Sequence, residues 1–99
     1  MTQKGYLPVS IKVFKEGTSK DVPYVAYAPE FDLSAAGKDP YMAKKALQEV
    51  IEYLLERREK EGKLETFLLE LGFKGLGKKE ELEPPEISFI QIPFYYSTL

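Results

Sequence analysis

Leu7, Val9, Ile11 and Val13 alternate with Pro8, Ser10, Lys12 and Phe14, and this period of two predicts a half-buried strand over residues 6–15. The turn-forming run at 16–23, Glu-Gly-Thr-Ser-Lys-Asp-Val-Pro, predicts a hairpin loop, and Tyr-Val-Ala-Tyr-Ala at 24–28 predicts the returning strand. Pro29 cannot donate to a ladder, so the chain is expected to turn through Pro29-Glu30-Phe31-Asp32 before a third short strand at 33–37. The sharpest punctuation follows at Gly37-Lys38-Asp39-Pro40. Asp39 suits a helix cap, and Pro40 suits the first helical position, where its missing N–H costs nothing.

From Ala43 the apolar positions fall at Ala46, Leu47, Val50, Ile51, Leu54 and Leu55, one stripe on a long amphipathic helix. Arg57, Arg58 and Lys60 precede Gly62, a basic last turn and then a stop. Leu64, Phe67, Leu68 and Leu71 predict a second, shorter helix ending at Gly72. Residues 72–85 read as a loop, flexible where glycines and charges cluster and stiffened by Pro84-Pro85. Ile90, Ile92 and Phe94 share a face within 86–96 and predict a last strand, which Pro93 would place at a sheet edge or a bulge.

The element order is therefore β-β-β-α-(α)-β. It predicts a single α+β domain over 1–99, a small antiparallel sheet of three or four strands with the long helix packed on one face. A helix-loop insertion about 63–86 precedes the last strand.

Composition narrows the chemistry. The chain has 99 residues, a formal net charge of −2, and neither histidine nor cysteine. Disulfides and thiol nucleophiles are excluded, and so are the commonest general base and the commonest transition-metal ligand. No basic face announces nucleic acid; Lys4, Lys12, Lys15 and Lys20 give only a mild positive balance to the first strand pair. Gly-Leu-Gly-Lys at 75–78 lacks the spacing of a phosphate-binding loop. Glu30, Asp32 and Asp39 could in principle hold a hard cation, but they read first as turn residues, with Asp39 occupied as a cap, because no second acidic cluster faces them. Neither a catalytic residue nor a cofactor is expected, and the chain does not read as an enzyme. The first residues have no apolar signal core, and no run approaches the roughly 20 residues that span a bilayer, so a cytoplasmic protein without membrane contact is expected.

Seven tyrosines and six phenylalanines are many for this length, and a sheet with one helix layer leaves its second face open. Aromatics on such a face are typical of interfaces. Tyr24, Tyr27, Glu30, Phe31, Asp32, Phe94, Tyr95 and Tyr96 are the candidate partner-binding residues, with Tyr24 and Tyr27 on opposite faces of one strand.

The stretch from Tyr24 to Glu56 resembles the amino-terminal domain of HicB-type antitoxins. Pro29-Glu30 matches the strand end, Gly37 and Asp39 the turn and cap, and Ala43 the early helix alanine. Val50, Ile51, Leu54 and Leu55 match the aliphatic stripe. The resemblance covers about the first sixty residues, with 87–94 completing the small fold. It implies a domain related to a degenerate ribonuclease-H-like fold that docks on a small, basic, HicA-type RNA-cleaving toxin and blocks it. It also implies association into a homodimer or a higher homo-oligomer. The departures are Lys38 in place of an acidic turn residue, Tyr41-Met42 in place of an acidic pair, and the insertion at 63–86. The chain ends after the expected last strand, so direct DNA binding by this chain is not expected. Two alternatives stand beside this reading. One is a self-associating structural protein with no toxin partner. The other is a residual magnesium-dependent nuclease using Glu30, Asp32 and Asp39.

Overall fold

The computed structural model describes residues 3–16 and 20–98. Strands β1 (Lys12–Lys15), β2 (Tyr24–Ala28) and β3 (Leu33–Gly37) form an antiparallel sheet in the order β1-β2-β3, followed by helices α1 (Pro40–Lys60) and α2 (Leu64–Glu70). The chain is thus an α+β domain, with α1 packed mainly over β2 and β3. Among the described residues, no helix is long and apolar enough to cross a membrane.

The pleat decides which side chains meet α1. Ala26 and Ala28 are fully buried beneath it, and their small size lets the helix approach closely. Across the ladder, Ala26 stands opposite Val13 and Ala35, and Tyr24 stands opposite Lys15 and Gly37. Ala43, Leu47 and Ile51 supply the buried helix stripe, with Leu54 and Leu55 half-buried beside it. The expected hairpin at 16–23 is closed by the Glu16 N–H donating to Pro23 O at 2.6 Å; its residues 17–19 lie outside the described residues.

Both helices begin and end on local signals. The Asp39 carboxylate accepts from Met42 N at 2.8 Å and Pro40 opens α1, as expected of a cap and first-turn proline. At its other end Gly62 adopts φ +70°, Gly62 N donates to Glu59 O, and Lys63 N donates to Arg58 O. That pair of bonds is a Schellman turn, which satisfies carbonyls a helix end leaves orphaned. The same device ends α2: Gly72 has φ +96°, Gly72 N donates to Leu69 O, and Phe73 N donates to Leu68 O. It swings Phe73 back into the core, where the ring is 1 % exposed. The Arg58 guanidinium, 5.0 Å from the Phe67 ring centroid, ties the two helices together at the surface.

Three expectations need correction. The first strand covers only Lys12–Lys15, because Pro8 has no N–H to give and Ser10 N donates to the Glu30 carboxylate at 2.8 Å instead of to a ladder. The expected loop at 72–85 is an ordered strap. Lys74 and Glu83 exchange both backbone bonds, Tyr6 pairs in parallel with Glu81, and Leu82 is buried under the amino-terminal segment. The last strand expected at 86–96 forms no ladder with any of the described residues. Pro84 and Pro85 lack the donors that would carry the bridge at Glu83 any further, and Pro85 packs on Gly72 instead.

A carboxy-terminal arm follows. Phe89, Phe94 and Tyr95 are 93 %, 75 % and 99 % exposed. The Cα radius of gyration is 16.9 Å, against about 13 Å for a compact chain of this size.

Candidate functional site

The sheet face turned away from α1 is the candidate site. By the pleat, β2 presents Val25 and Tyr27 there, while β1 adds Lys12 and Phe14 through their pairings with Tyr27 and Val25. Ser34 and Ala36 of β3 complete the surface, paired with Tyr27 and Val25 from the other side. Phe14, Val25, Tyr27, Ser34 and Ala36 line one shallow depression with Glu16 and Ala35, and neither α2 nor the 73–83 strap contributes to it. Phe14 is half exposed, and Val25 and Tyr27 are half-buried. The small side chains of Ser34 and Ala36 leave the aromatic rings accessible from the β3 side.

One end of this face is chemically defined. The β2–β3 turn is closed by Phe31 N donating to Ala28 O and Asp32 N donating to Pro29 O. It places Asp32 at φ 52°, a conformation that aspartate tolerates better than most residues. There the Asp32 carboxylate accepts the Tyr27 phenol at 2.8 Å. That hydrogen bond, helped by partial burial and by the carboxylate's charge, raises the phenol's pKa above its ordinary value of 10.0. A group whose folded pKa is raised adds stability that is complete below its unfolded pKa and is lost as pH rises through the folded one. Replacing Asp32 with glycine keeps the turn geometry and removes the acceptor. In an NMR pH titration of the tyrosine rings, the Tyr27 midpoint should fall back toward that of exposed tyrosines. An unchanged midpoint would show that Asp32 is not the cause.

The carboxylates once considered together do not meet as a cation site. Glu30 accepts from Ser10 N and Ser10 Oγ at 2.8 and 2.9 Å, Asp32 accepts from Tyr27, and Asp39 caps α1. No group of three potential metal ligands forms among the described residues. Glu30 instead clamps the amino-terminal segment to the β2–β3 turn.

The aromatic candidates divide. Tyr27 lies on the open face and Tyr24 on the opposite one, packed against the core as its strand position requires. Phe31 belongs to the interior, a correction to its reading as a partner-binding residue. It is 9 % exposed, with ring centroids 6.2 Å from Phe67 and 6.0 Å from Phe73. The turn that looked polar in sequence aims this one ring inward. Phe94, Tyr95 and Tyr96 stand on the arm, away from the sheet face. Phe14 and Val25 were missing from the sequence reading. The alternation of β2 pairs Val25 with Tyr27, but Phe14 joins them only once the β1–β2 register is known.

Against protein-family models, curated proteins and solved structures, the chain matches none.

Proposed function

We propose that this chain is a protein-binding module of the HicB-like kind, which covers the surface of a small, basic, RNA-cleaving protein and so blocks it without chemistry of its own. The observation that carries the reading is the uncovered sheet face, with Phe14, Val25 and Tyr27 presented together and the Asp32 carboxylate at their edge. Aromatic rings in a desolvated patch supply most of the energy of a typical interface, and a flanking carboxylate favours a basic partner. The resemblance of residues 24–56 to the antitoxin domain points to the same class of partner.

The test is a cleavage assay with a HicA-type protein from the same genome. Equimolar chain should abolish RNA cleavage. Phe14→Asp, which places a charge in the middle of the patch, should restore most of it while leaving the melting temperature within a few degrees. Cleavage that continues at several-fold excess of the chain would sink the reading. Self-association is a second reading, favoured by a separate observation, the exposed apolar arm.

A further inference from the structure

We infer that the carboxy-terminal arm is an exchange strand: residues 87–94 of one copy add to the free edge of β1 in a second copy, reciprocally, making a two-fold dimer. The inference does not rest on the RNA-cleaving partner proposed above: the arm's apolar row meets Ile11 and Val13 on the helix side of β1, whereas that partner covers Phe14 on the opposite face.

The arm has the composition of a covered strand and the exposure of an uncovered one. No charged residue occurs from Ile87 to Leu99, in a chain that is 30 % charged. Ile90, Ile92 and Phe94 nevertheless stand 77 %, 66 % and 75 % exposed. At its far end the Phe94 and Tyr96 rings, two positions apart, lie 5.6 Å from each other, as on one face of an extended chain. An uncharged, β-prone segment left in water is an aggregation hazard, so a stable protein needs it covered. Residues 86–98 make no hydrogen bond among the described residues.

The receiving edge has the matching defect. β1 is an edge strand, paired with β2 on one side only. α1 lies mainly over β2 and β3, which leaves Ile11 and Val13 at 38 % and 37 % exposure on the sheet's helix side. Ile11 borders a shallow groove against the α1 flank of Lys45, Gln48 and Glu52. Strand addition there would satisfy the backbone of both partners and seat the Ile90-Ile92-Phe94 row beside Ile11 and Val13.

The geometry favours a second copy over the chain's own edge. The arm leaves beside Ser10, Ile11 and Lys12, where Ile87 and Phe89 share a cleft with them, and from Ile90 onward it no longer lines that cleft. A two-fold axis at this exit places each continuing arm against the other copy's β1, an isologous and closed arrangement. The row Ile90, Ile92 and Phe94 lies within the added strand and enters the interface twice, once from each copy, so a symmetric dimer removes both exposed rows from water together.

The chain has no native cysteine, which permits a clean test. Val13→Cys is purified separately from a set of arm variants, Ile90→Cys, Ile92→Cys and Phe94→Cys, which together cover the registers. Mixed and oxidised, Val13→Cys and at least one arm variant should give a disulfide-linked dimer of the two different chains. Sedimentation of the unmodified chain should give a dimer. Ile90→Asp combined with Ile92→Asp should weaken that dimer by on the order of ten-thousandfold, about tenfold for each of the four isoleucines that the two arms carry. These residues are solvent-exposed in the single chain, so the variant's circular dichroism should match that of the unmodified monomer. A dimer that survives both aspartates overturns the inference, as does a monomer at every concentration. So does a monomeric cross-link formed in the Val13→Cys chain that also carries an arm cysteine, with no mixed dimer. Failure of the RNA-cleavage assay alters none of these readouts.

Discussion

Replacing Gly37 with alanine is expected to destabilise the protein by about 3 kcal/mol, the upper range for forcing extra volume into a packed site. For a domain of this size that corresponds to a fall in melting temperature on the order of 10–20 °C. The last residue of β3 is buried directly under the first turn of α1. A β-carbon built there would collide with Ala43 N, lie 2.7 Å from Met42 C and lie 2.8 Å from Ala43 Cα. All three are backbone atoms, so no side chain can swing aside. Ala43 N also donates to Asp39 O at 3.0 Å, within the turn that starts the helix. The helix must therefore lift off β3, which strains the burial of Ala43 and Leu47 together. Gly62→Ala is the control. Its β-carbon would meet nothing within 4 Å, and only the positive φ of +70° resists it, a cost of about 1 kcal/mol. Urea unfolding of both variants separates steric collision from backbone preference. Equal midpoints would mean that α1 does not sit on Gly37 as described.

Phe73→Ala is expected to cost about 3–5 kcal/mol, a large share of the roughly 5–15 kcal/mol that holds a typical domain together. The ring is 1 % exposed, beside Phe31 at 6.0 Å between centroids, and belongs to the same core cluster as Leu68 and Leu82. Its loss leaves a void in the cluster it shares with Phe31, Leu68 and Leu82. Local consequences should accompany the global one. The Lys74 and Glu83 amides, bonded across the strap at 2.9 and 2.8 Å, should exchange with solvent faster in the variant. Phe89→Ala, in which the removed ring is 93 % exposed, should leave the stability of the single chain unchanged. If Phe73→Ala melted like Phe89→Ala, the strap would not be part of the core.

Residues with local consequences were legible in the sequence. Asp39 and Pro40 marked the start of α1, Gly62 and Gly72 marked both helix ends, and Pro29 marked the end of β2. Each acts through its own backbone or the adjacent turn. The apolar stripe named Ala43, Leu47 and Ile51, since a 3.6-residue period needs no knowledge of the partner surface. What was missed depends on distant partners. β1 is short because Ser10 bonds to Glu30, twenty positions along the chain. Leu82 is buried inside a run of charged residues that shows no period, because Tyr6 lies beside it. Phe31 sits in a turn of polar neighbours and turns inward on Phe67 and Phe73, which α2 and its ending supply. The alternation at 86–96 describes a strand, yet the described residues form none there, because a pattern of two does not name a pairing partner.

The β1-β2-β3 order has a bearing on how the molecule comes into being. Neighbours in the sheet are neighbours along the chain, and α1 follows directly. Most contacts in the first sixty residues therefore have short sequence separation, the circumstance in which domains fold fastest. During synthesis this portion can organise while the remainder is still leaving the ribosome. The Tyr6–Glu81 pairing spans most of the polypeptide and must wait for it. The nascent protein is thus expected to acquire its helix-covered sheet first and to fasten the backbone at Tyr6 last.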